Sequence, residues 1–147
     1  MANQTYIDFN INPSNPFFLH SNENPTLVLV TPLLNGKNYH SWARAMRMIL
    51  ESKNKIGFLD KSIPRPLPED VLYGPWRRCN NTILYWLQRS VEESIAKSIL
   101  WFDTASKLWT DLKDRFSQGD IFRIAELEEE FYHLHQGNLT ISEFFTD

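Results

Sequence analysis

Between residues 39 and 50, six apolar or aromatic side chains fall on one helical face. Tyr39, Trp42, Ala43, Met46, Ile49 and Leu50 recur at i, i+3, i+4, i+7, i+10 and i+11. That is the 3.6-residue period of an amphipathic helix, and such a face must be buried against another element. The expected helix runs from about Tyr39 to Lys53. The pattern then repeats. Trp76, Cys79, Ile83, Trp86 and Leu87 make a second stripe, with Pro75 well placed in a first turn. Ser90-Val91-Glu92-Glu93 fits a capping box and predicts a third, shorter helix with Ile95, Ile99 and Leu100 inward. Asp103 or Thr104 caps a fourth, carrying Ala105, Leu108, Trp109, Leu112 and Phe116, and Gly119 is expected to end it. A fifth, from about Ile121 to His135, uses Ile124, Leu127, Phe131 and Leu134 and stops at Gly137-Asn138. Thr140-Ile141-Ser142-Glu143 is a further capping box that opens a sixth helix just where the chain ends. The expectation is therefore the front part of a longer protein.

The fold class that follows is all-α: a compact bundle of five to six helices with an extended N-terminal arm. Residues 1–26, rich in Asn, Pro and Ser, read as an extended or mobile arm, and residues 27–147 as the helical domain. Thr26-Leu27-Val28-Leu29-Val30-Thr31 has the β-branched content of a short strand, ended by Pro32 and followed by an Asn35-Gly36 turn. Gly57 is expected to break the chain, and Pro64, Pro66 and Pro68 to hold a stretched linker. Trp42, Trp76, Trp86 and Trp109 lie on inward faces and are predicted core. Trp101, beside Phe102 at a helix end, is a candidate exposed interface anchor.

The chain has 147 residues, 42% hydrophobic and 14% aromatic, which is material for one buried core and excludes general disorder. Its one cysteine, Cys79, cannot form an intrachain disulfide, and on an apolar face it reads as an inert core thiol. The first residues carry neither a basic start nor an apolar run, and the longest apolar stretch is far short of a membrane span. A cytoplasmic protein with no membrane contact is expected. No phosphate-cradling glycine loop, nucleophile elbow or H-E-x-x-H pair is present. A zinc knuckle would need three cysteines, and helical spacing points His133 and His135 apart. The reading is thus not an enzyme, with no cofactor and no metal.

Charge is divided along the chain. Residues 37–65 hold seven basic and two acidic side chains, and residues 103–147 hold four basic and ten acidic ones. A surface of Lys37, Arg44, Arg47, Lys53, Lys55 and Lys61 is the candidate for self-association with an acidic half of another copy, or for RNA. The net charge of −3 argues against a whole-domain nucleic-acid binder.

Several blocks, in order, carry a resemblance. Asn15-Pro16-Phe17-Phe18-Leu19-His20, then Leu34-Asn35-Gly36-Lys37-Asn38-Tyr39-His40-Ser41-Trp42, then Lys53-Asn54-Lys55-Ile56-Gly57-Phe58-Leu59-Asp60 are the first. Trp76-Arg77-Arg78-Cys79-Asn80-Asn81, Trp86-Leu87 and Ser98-Ile99-Leu100-Trp101 follow. Leu108-Trp109-Thr110-Asp111-Leu112-Lys113-Asp114-Arg115-Phe116-Ser117-Gln118-Gly119 and Gln136-Gly137-Asn138-Leu139-Thr140-Ile141-Ser142-Glu143 close the set. Over about residues 15–147 the chain resembles the N-terminal region of plant Copia-type LTR retrotransposon Gag polyproteins. Gly119-Asp120-Ile121-Phe122 departs from the family's usual Gly-Asn turn. The resemblance implies a capsid-like helical domain that self-associates as a homo-oligomer into a virus-like particle. It also implies that RNA is bound through a downstream zinc knuckle, which this chain does not contain. Two other functions use the same residues: a domesticated host adaptor built on this fold, and a direct RNA-binding module on the basic face.

Overall fold

The computed structural model describes residues 8–137 apart from Asn22; between 119 and 137 only some side chains are described. The predicted helix at Thr140–Glu143 and the inward roles of Ile124 and Leu127 lie outside what is described.

Helix α1 spans Tyr39–Ser52 and buries Tyr39, Trp42, Ala43, Met46 and Leu50, the stripe its period dictates. Its entry is stitched by side chains. Asn38 Nδ2 donates to the Leu33 carbonyl at 3.0 Å, and Asn38 Oδ1 accepts from the Asn35 amide at 3.0 Å. Gly36 makes the expected turn at φ +89, with the Phe116 ring 3.6 Å from where a Cβ would sit. Gly57 does not break the chain. It opens a four-residue helix, α2, Gly57–Asp60, and is buried so closely that a Cβ there would stand 2.6 Å from the Ile63 side chain.

Helix α3, Tyr73–Arg89, contains Pro75 in its first turn, where the missing N–H leaves no bond unmade. Ser90 does not cap the next helix. Its hydroxyl donates back to the Trp86 carbonyl at 2.8 Å, and α4, Glu93–Ser98, starts only after an extended Glu92. Thr104 does cap the last helix, its Oγ1 accepting from the Lys107 amide at 3.3 Å. That helix, α5, runs Ala105–Gly137 without stopping at Gly119. The expected fourth and fifth helices are therefore one element. A helical glycine costs only about 1 kcal/mol against alanine, which the neighbouring helical turns absorb.

The core is one cluster, with α1, α2 and α3 each packed on α5. Trp42 is 1% exposed and Trp86 fully buried; Trp109 is half-buried and stacked on Trp42, with centroids 5.8 Å apart. The strand expected at Thr26–Thr31 is not formed. A lone strand leaves its backbone groups unpaired, and here Val30 is buried singly among helices instead. Pairing is limited, among the described residues, to an isolated parallel bridge between Leu34 and Val91. Apart from Asn22, residues 8–26 carry no helix or strand, and Asn15 and Phe17 are buried.

Two outcomes are expected. Trp42→Ala should lower stability by roughly 3–5 kcal/mol in chemical denaturation, and an unchanged midpoint would contradict its place in the core. Gly119→Ala should raise thermal stability or helix content, by about 0.5–1 kcal/mol, because the residue is mid-helix. A loss instead would mean a left-handed helix end at that position.

Candidate interaction surfaces

The six predicted basic residues do not share one surface. Arg44 and Arg47 project from the outer face of α1 with Met48, which is 58% exposed, and Lys37 is exposed just before it. Lys61 is exposed in a left-handed conformation after α2. Lys53 is engaged inside the molecule: its Nζ lies 3.2 Å from Glu23 Oε2 and 5.1 Å from the centre of the Trp86 ring. Lys55 is 4% exposed. It is therefore no part of a solvated basic face, which is a correction to the sequence reading. Its Nζ donates to the Phe18 carbonyl at 2.7 Å, and burial pulls its ammonium below the ordinary lysine range.

Lys55 belongs to a set of donors that hold the N-terminal segment by its carbonyls. Cys79 Sγ donates to Phe17 at 3.4 Å, Asn54 Nδ2 to Ser14 at 2.8 Å, and Trp86 Nε1 to Asn24 at 2.9 Å. Phe17 completes the attachment edge-on to Phe58, 5.9 Å away. None of this was read from the sequence, where Lys55 was counted only as a charge. Asn80 was missed too. Its Oδ1 accepts from the Ala105 amide at 2.9 Å, and its Nδ2 donates to the Asp103 carbonyl at 2.8 Å, fixing the start of α5. The available signal was a polar residue inside the stripe of Trp76, Cys79 and Ile83.

Trp101 stands 90% exposed between α4 and α5, next to Leu100 at 61%. An indole displayed this fully gains from being covered, and large aromatics dominate the energetics of interfaces. Trp76, by contrast, is 5% exposed. Among the described residues no group of His, Cys, Asp or Glu could hold a metal ion, and no helix is long and apolar enough to cross a membrane.

The class these features define is a small all-α unit with displayed charged and aromatic surfaces. Residues 20–67 match the family model for the Gag-polypeptide of LTR copia-type, which supports a copia-type Gag region there. Neither the curated proteins nor the solved structures contain a match to the chain. The matched segment includes α1, α2 and the turn that leads into them.

Burial also raises the Cys79 thiol pKa from 9.0 to about 11. At pH 8 that cuts the thiolate fraction about a hundredfold. Alkylation of the native protein should therefore be at least about a hundredfold slower than in denaturant. Comparable rates would mean that the N-terminal segment does not cover the thiol.

Proposed function

We propose that this chain is the N-terminal, capsid-like part of a copia-type Gag polyprotein, a structural subunit that self-associates into a particle shell in the cytoplasm. The family match over residues 20–67 carries the reading. A helical unit with one core supports it, because a shell subunit must stay rigid while its surfaces bind copies of itself. Each contact can be weak, since many contacts in one particle multiply through effective concentration. Two displayed features suit such contacts. Arg44 and Arg47 are exposed on α1, while Asp103, Asp114, Glu128 and Glu129 are exposed on and just before α5. Leu100 and Trp101 offer an apolar tip. A contact between unlike surfaces closes into rings or shells when its rotation allows.

Direct RNA binding is the weaker reading. With Lys55 buried and Lys53 paired, the basic face reduces to four exposed residues, Lys37, Arg44, Arg47 and Lys61.

The test is mass against concentration by light scattering behind a sizing column, at low and moderate salt. Mass should grow from monomer upward, and salt should weaken the growth by screening the charged contact. Trp101→Ala, and Arg44→Glu combined with Arg47→Glu, should each raise the concentration needed by roughly tenfold or more, with melting unchanged. A strict monomer at every concentration, or variants that associate like the parent, would remove this reading; a strict monomer would favour a host adaptor on the same fold.

A further inference from the structure

Where the loop after α2 meets α3 and the start of α5, two adjoining cavities of about 280 and 260 Å³ share Arg65 and Trp76 as walls. The Trp76 Nε1 is buried and has no hydrogen-bond partner among the described residues. That nitrogen is closed to water, so the indole lines the cavities through its other atoms.

The larger cavity supplies the setting. Three cations line it, Lys61, Arg65 and Lys107, and no carboxylate does. Thr104 and Ser106, at the first turn of the 33-residue α5, form another part of its wall. Two first-turn amides are already taken, Ala105 by Asn80 Oδ1 and Lys107 by Thr104 Oγ1. The positive end of the helix adds to the three side-chain charges. Phe58, Ile63 and Pro64 give an apolar wall. The Arg65 guanidinium lies 5.4 Å from the Trp76 ring centre. The nearby acid is Asp103, 3.6 Å from both Arg65 and Lys107. Both pairs are largely exposed, so each holds its partners weakly.

We propose that this cavity binds a phosphate monoester carried on a small ring, of nucleoside-monophosphate size. The phosphate sits among Lys61, Arg65, Lys107 and the α5 N-terminus, and the ring lies against Phe58 and Trp76. One planar carboxylate would be satisfied by Arg65 alone, whereas three cations and a helix end lining one cavity suit an anion with three free oxygens. The volume, about 280 Å³, lies just below the usual range for ligand pockets, which limits the ligand to one compact molecule.

The whole chain is titrated with adenosine 5′-monophosphate, inorganic phosphate and adenosine, read by tryptophan fluorescence and calorimetry. The monophosphate should bind saturably, phosphate alone more weakly, and adenosine not at all. Arg65→Gln and Lys107→Gln should each weaken binding roughly tenfold, the worth of a charge-assisted hydrogen bond. Asp103→Asn should tighten it by removing the resident competitor. Lys97→Gln, on α4 and outside the cavity, should leave it unchanged, and melting curves confirm that all four variants fold. Equal binding of phosphate and the monophosphate would overturn the ring contact. No saturable binding at millimolar ligand, equal binding of adenosine, or equal loss in Lys97→Gln would overturn the site.

Discussion

A single carbonyl oxygen, that of Ser90, ties together the parts of this molecule that are far apart in sequence. It accepts from Trp42 Nε1 at 2.8 Å and from the Leu34 amide at 3.0 Å. The first bond fixes α1 to the end of α3. The second fixes the segment before α1 to the same point, and the Glu92 amide closes the bridge by donating to the Leu34 carbonyl at 3.0 Å. Trp42 then stacks on Trp109, which brings α5 into the same junction. Ser90 can serve there because its own hydroxyl is held by the Trp86 carbonyl. In a dry interior such bonds are strong, and losing one partner leaves the other unsatisfied at full cost.

The rest of the fold builds outward from that junction. With α1 and α3 fixed, Asn54, Lys55, Cys79 and Trp86 present donors to the carbonyls of residues 14–24. A segment without helix or strand must satisfy its backbone somewhere, and here side chains of the bundle do it. The arrangement also explains how a lysine can be buried. An ammonium removed from water is tolerated only when its hydrogens are taken up, and Phe18 and Lys53 supply carbonyls. The exposed surfaces proposed for self-association, the outer side of α1 and the Leu100–Trp101 tip, are thus held by a core that does not depend on them.

The helices were legible because their apolar residues repeat with the helical period, and burial enforces that period. The face of α1 follows from Trp42, Ala43, Met46 and Leu50 alone. The period misled at Leu100, Phe131 and Leu134, expected inward but exposed. The other failures were readings that rested on local signals with a competing tertiary use. Ser90 has the chemistry of a cap, but its hydroxyl finds the Trp86 carbonyl. Gly119 has the chemistry of a helix end, yet α5 continues through it. Thr26–Thr31 has strand content but, among the described residues, no neighbouring strand to pair with. At the surfaces, charge could be counted but not placed: Lys53 and Lys55 differ from Arg44 and Arg47 only in what the fold puts beside them. The exposure of Trp101 follows from its place at a helix end, outside the periodic stripes. The cavity at Trp76 was not legible, because its walls come from three stretches of chain.

The claim that the Ser90 junction organises the whole unit is tested most directly by hydrogen exchange at the Trp42 indole N–H and the Leu34 amide. Both should exchange only through global unfolding, with the slowest rates in the protein and the same dependence on denaturant. Exchange of either at a rate typical of local opening, while the interior amides of α3 stay protected, would show that the helices hold together without the junction.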